Sequence, residues 1–169
     1  MKTRTLIIVF CMGLLTFLRG SVSAATTNTL DELKQLPFGL KVLHTPDKVR
    51  ADHDGRSGRA FTWSYKTSVA ATNGSVVIVE FGAFVWHKDK WVFSNFTGKP
   101  FTSNDFADWY SCTGAKLVEG QEFSDGSNWS GGDTLRASKM RWYFIGVTSD
   151  GHRVKGEAVI EILPEVSTK

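Results

Sequence analysis

The chain has 169 residues, with 20 Lys and Arg against 17 Asp and Glu, a formal net charge of +3 and 41% apolar residues. Three of the bases (Lys2, Arg4 and Arg19) fall in the first two dozen residues, which hold no acid, so residues 25–169 carry 17 charges of each sign. That balance argues against a nucleic-acid partner, which calls for a clustered positive face, and against adhesion to an anionic membrane surface.

The first element in chain order is a targeting segment. Lys2 and Arg4 make a positive start, Leu6–Leu18 is an apolar run of 13 residues closed by Arg19, and Ser21-Val22-Ser23-Ala24 offers small side chains to a signal peptidase. Roughly 7–15 apolar residues suit a signal core, whereas a membrane-spanning helix needs about 20. Residues 1–24 therefore read as a cleavable signal peptide, which implies a secreted or periplasmic protein. No later segment is apolar for long enough to hold the mature chain in a bilayer. An uncleaved anchor is the alternative, disfavoured by the short run. Removing the signal removes Cys11 and leaves Cys112 alone, so no internal disulfide is available. The 145 residues that follow Ala24 suit one domain, which at this size buries roughly 70% of its unfolded surface.

Residues 25–37 form an N-terminal segment with a short helix. Thr29-Leu30-Asp31-Glu32 has the form of a capping box, Leu30, Leu33 and Leu36 share one side, and Pro37 ends it. From Phe38 to the end the period is that of strands. Phe61, Trp63 and Tyr65 alternate with Thr62, Ser64 and Lys66, and Val76–Phe84 is a longer β-branched run. Phe84–Phe93 reads as a hairpin with Lys88-Asp89 at its tip, which sets His87 opposite Lys90 and Trp86 opposite Trp91. Thr102-Ser103-Asn104-Asp105 caps a short helix over 104–112, and 124–138, rich in Gly, Ser and Asp, reads as a long loop. Met140–Val147, the Asp150-Gly151 turn and Arg153–Leu163 form a second hairpin, with Val154, Gly156, Ala158, Ile160 and Ile162 facing in and Lys155, Glu157 and Glu161 facing out. The expected fold is all-β: a single antiparallel β-sandwich (immunoglobulin-like or related) or a small barrel, over residues 38–169.

Catalytic and metal signatures are sparse. There is no Gly-x-Ser-x-Gly elbow, and no spacing pairs Cys112 with a particular one of His44, His53, His87 or His152. Cys112 lacks the following His and Met of a blue-copper loop. The metal candidates are Cys112, His53, Asp125 and Asp133: Asp52-His53-Asp54 reads more simply as a solvated turn, and Asp125, Ser127 and Asp133 are few for a calcium ion that wants six to eight oxygens. No cofactor is expected, calcium or a transition metal being the alternative. Three Asn-x-Ser/Thr sequons, at Asn73, Asn95 and Asn128, would accept glycans only in a eukaryotic secretory route.

The aromatic content says more. All six Trp lie beyond the signal, and Trp129 sits among Asp125, Gly126, Ser127, Asn128, Ser130 and Gly131, with little to bury it. A tryptophan face beside amides and carboxylates suits a sugar, and exposed aromatics also anchor proteins. The plainer alternative is that Trp129 folds back under its own loop. The candidate ligand-binding residues are thus Trp129, Asp125 and Asn128, with Trp109 and Tyr110 from the 106–112 segment, which could equally be a helix closing one end of the core. The sequence points to an exported, non-enzymatic binding or accessory module for carbohydrate or another protein. The alternatives are a metal- or thiol-dependent site at Cys112 with a His, and a structural subunit of an envelope or extracellular complex.

Overall fold

The computed structural model describes residues 22–53 and 58–168, mostly β with a helix near the N-terminus. Residues 1–21 of the expected signal segment lie outside the described residues. Helix α1 (Val22–Gln35) precedes β1 (Leu40–Thr45), β2 (Lys48–Ala51), β3 (Phe61–Ala71), β4 (Val76–His87), β5 (Lys90–Phe93) and β6 (Phe101–Thr102). Then come α2 (Ser103–Trp109), β7 (Lys116–Leu117), β8 (Glu122–Gly132), β9 (Ser138–Thr148) and β10 (Arg153–Val166). Two ladders result, β1-β3-β8 and β2-β10-β9-β4-β5, with β6 and β7 adding to β4. They meet along β10: Phe38 bridges Lys155 just before β1, β2 pairs with Glu161–Val166, and Asp52 bridges Thr62. The whole is a curled sheet. At Gly156 a Cβ would lie 2.6 Å from Leu40 Cβ and 2.8 Å from Leu40 O, so only glycine lets β1 cross β10 this closely.

Local chemistry explains the turns. Lys88 and Asp89 both take positive φ, 48° and 59°, the twist a two-residue hairpin requires, and Trp86 faces Trp91 as the pattern implies. The second hairpin is one residue longer than expected. Thr148 N–H donates to His152 O at 3.0 Å, so three residues form its loop, with Gly151 at φ 86°. Helix α2 has its capping box, Thr102 with Asp105, and ends at Trp109. Within β4 the register shifts between Ile78 and Glu80. This bulge at Val79 switches the inward parity from Val76 and Ile78 to Phe81 and Ala83. The inner face of both ladders builds one core, with Trp63, Tyr65, Phe81, Phe106 and Phe144 at its centre.

Four expectations need correction. The stretch expected as a loop over 124–138 is largely strand β8, paired with β3 from Phe61↔Gly132 to Ala70↔Glu122. The open edge of β3 supplies backbone partners that outweigh the weak β-propensity of Gly, Ser and Asp. The sheet is not wholly antiparallel, because β2 runs parallel to β10; the two are far apart in sequence, and no hairpin sets their direction. Helix α1 starts no later than Val22, so Thr29 lies inside it rather than capping it. Finally, the face of β10 expected to be polar and outward is covered at Lys155 and Glu157. Leu33 of α1 is buried on Phe84, Tyr143 and Ile145, and Lys155 beneath it is only 6% exposed. Its ammonium donates to the Leu33 carbonyl and lies 3.5 Å from the Glu157 carboxylate.

Candidate functional site

One ladder ends on β8 and the other on β5, and a cavity of about 710 Å³ opens between β8 and the inner face of β4 and β9, beside the turn that follows β5. Asp125, Asn128 and Trp129 of β8 form one wall, and Ala83, Val85, Met140 and Trp142 of β4 and β9 another. Trp109 of α2, Phe101 of β6, the turn residues Asn95 and Phe96, and the cations Arg59 and Arg136 also line it.

Strand β8 is shaped for this. Asp125 and Asn128 are three residues apart and would face opposite ways in a regular strand. The ladder steps from Tyr65↔Asn128 to Thr67↔Asp125, so Gly126 and Ser127 form a bulge that turns both side chains to the same face. Asp125 Oδ1 pins the bulge, accepting from Ser127 N–H at 2.9 Å and from its hydroxyl at 3.1 Å. Trp129 leaves from the other face of the edge strand, and its ring lies over Gly131. There a Cβ would come within 3.1 Å of both the ring and the Arg59 side chain. A larger residue at 131 would lift the ring. Trp129 is 39% exposed and Trp109 38%; Trp109 is held edge-on to Phe101 and Phe81, with centroids 4.6 and 5.5 Å away.

Behind Asn128 runs a buried polar chain. Asn128 Nδ2 donates to Thr67 Oγ1 at 3.0 Å, and its Oδ1 accepts from Trp129 N–H at 2.9 Å. Thr67 Oγ1 and His44 Nδ1 are 3.1 Å apart, and His44 Nε2 is 3.4 Å from Ala158 O. A carbonyl only accepts, so Nε2 carries a proton, and in the neutral ring Nδ1 accepts from the Thr67 hydroxyl. Burial, offset in part by the Ala158 carbonyl, pulls its pKa from 6.5 down to about 4. Between those values the unfolded chain binds the proton and the folded ring does not, so stability falls as pH falls, by about 3 kcal/mol over the full window. Glu80, whose carboxyl burial pushes up, acts oppositely and gains stability as pH falls. The expected result is therefore a difference: urea unfolding from pH 7 to pH 4 should lose more stability in the natural protein than in His44→Gln. Parallel pH profiles would remove His44 from this role.

Of the residues singled out in the sequence, Trp129, Asp125, Asn128 and Trp109 converge on the cavity. Tyr110 does not line it. Its ring stacks on Phe106 at 4.3 Å within the core, and its buried hydroxyl has no partner among the described residues. Burial, then the charges of Asp125 and Tyr65, push that phenol well up. Cys112 is fully buried with its thiol on Lys116 O, and burial raises its pKa. A reactive thiolate needs the reverse, and a bridge to another chain needs exposure. Asp133 pairs with Arg59 at 2.6 Å and His53 packs on Phe61 at 4.9 Å, while Asp54 lies outside the described residues. No group of three or more His, Cys, Asp or Glu converges among the described residues. Asn95 and Asn128 are buried and bonded, unsuited to carry glycans. Sequence reasoning missed Arg59, Arg136 and Phe96. Phe96, 85% exposed in a turn, was legible as an aromatic in a polar setting.

No family model matches the chain, and no curated protein matches it. Among solved structures it is similar to the ApaA protein from Bordetella pertussis, at 13% identity with a TM-score of 0.46, covering 79% of this chain and 98% of that one. No helix among the described residues is long and apolar enough to cross a membrane.

Proposed function

We propose that the mature chain is an exported, non-enzymatic binding module, that its curled sheet is a sandwich-like half-barrel left open between β8 and β5, and that the opening holds a carbohydrate. The observation that carries this is the convergence of Trp109, Asp125, Asn128 and Trp129 on one cavity of about 710 Å³. Concave sites lined by aromatic faces with a few fixed polar groups suit small ligands. The two half-exposed indoles offer faces to the C–H side of a sugar ring, while the Asn128 amide and the Asp125 carboxylate suit its hydroxyls. Among the described lining residues Asp125 is the one carboxylate, whereas glycoside hydrolysis ordinarily uses a pair. A protein ligand would use the same tryptophans as anchors, but the recessed wall favours a small one.

The test is titration of the mature protein with a panel of neutral and acidic oligosaccharides, followed by tryptophan fluorescence. A bound sugar should shift the emission, and Trp129→Ala should weaken binding by about thirtyfold or more. Unchanged emission across the panel, or a Trp129→Ala protein of undiminished affinity, would overturn the reading.

A further inference from the structure

The cavity continues past Val85 and Arg136. A second depression of about 360 Å³ lies over the β4–β5 hairpin, lined by Trp86, His87, Lys88 and Ser138 among others. Val85 and Arg136 line both depressions, which therefore adjoin. Trp86 is 40% exposed and held edge-on to Trp91, with centroids 5.1 Å apart. The groove thus presents an exposed tryptophan on each side of one arginine. That layout suits a chain of sugars better than a single ring.

The charges add a second constraint. Arg59 is already neutralised by Asp133 at 2.6 Å. The Asp125 carboxylate already accepts two hydrogen bonds from Ser127. Arg136 is exposed at the junction and has no ion pair among the described residues. Lys88 stands further along, next to Asp89 at the hairpin tip. A guanidinium keeps its charge at all relevant pH values, and its planar fork matches a carboxylate through two parallel hydrogen bonds.

Resting on the carbohydrate reading above, we propose that the groove takes an acidic oligosaccharide, with Arg136 pairing a sugar carboxylate between rings stacked on Trp129 and Trp86. The probes are hexagalacturonate, its fully methyl-esterified form, which keeps the sugars and removes the charge, and monomeric galacturonate. The free acid hexamer should bind about tenfold tighter than the ester at low ionic strength, an advantage that shrinks with salt. Arg136→Gln should bind acid and ester alike, and Trp86→Ala should weaken the hexamer while leaving the monomer unchanged. Equal affinity for acid and ester in the natural protein, or a preference for acid that survives in Arg136→Gln, overturns the proposal. If neutral sugars of the panel bind and hexagalacturonate does not, the acidic ligand falls and the carbohydrate reading stands. If no sugar of either kind binds, both fall.

Discussion

Replacing Phe81 by alanine is expected to cost the fold about 3–5 kcal/mol and to loosen the candidate site with it. Phe81 is wholly buried and lies parallel to Phe144 at 5.5 Å, with Phe101, Phe106, Trp109, Tyr110 and Trp142 around it. So many rings cannot all move in to fill the space, and the cavity left behind adds to the lost burial. Three of these neighbours, Phe101, Trp109 and Trp142, also line the candidate cavity. Urea denaturation gives the stability change, and ligand titration of the surviving folded protein gives the second readout. Phe81→Leu should cost much less on both. A Phe81→Ala protein within about 1 kcal/mol of the natural one would show that the aromatic cluster repacks freely.

Glu157→Ala is expected to cost about 3 kcal/mol or more, for an electrostatic reason. Glu157 accepts from Arg141 at 2.6 Å and faces Lys155 at 3.5 Å, with the Lys155 and Glu157 side chains about nine-tenths buried, 8% and 11% exposed. Without it, the Lys155 ammonium under α1 and the Arg141 guanidinium over Trp91 both lose the carboxylate that faces them. The damage should appear locally as well as globally, because Lys155 also holds the Leu33 carbonyl of α1. Hydrogen exchange over residues 30–36 should speed up in Glu157→Ala. Replacing the three charged groups together, Arg141→Met and Lys155→Met with Glu157→Leu, should recover most of the loss, since apolar side chains of similar size need no partner. A single variant that loses less than about 0.5 kcal/mol would mean that water reaches the cluster and screens it.

These two sites illustrate what was readable in advance. Phe81 belongs to an apolar run recognisable as a buried strand, but its inward orientation depends on the Val79 bulge, which flips parity partway along β4. Lys155 and Glu157 sit on the polar face of an alternating strand, and nothing in that alternation announces a helix laid across it. The same holds for the site. Trp129, Asp125 and Asn128 stood out because bulky and polar residues sat together in a Gly/Ser-rich stretch. Arg59 and Arg136 did not, because each is a lone cation far from the other in the chain.

Determined by the sequence alone were the features settled within a few residues: the Lys88-Asp89 hairpin and its Trp86–Trp91 pair, the Thr102–Asp105 cap of α2, the inward Trp63 and Tyr65 of β3, and the overall β character. Turn dihedrals, caps and strand alternation are short-range, so neighbouring side chains decide them. The tertiary structure alone decided that β8 is a strand, that its Gly126–Ser127 bulge turns Asp125 and Asn128 to one face, that α1 covers part of β10, and that distant segments of the chain share a cavity. Each of these depends on backbone groups and apolar faces that find partners far along the chain, which local pattern does not encode.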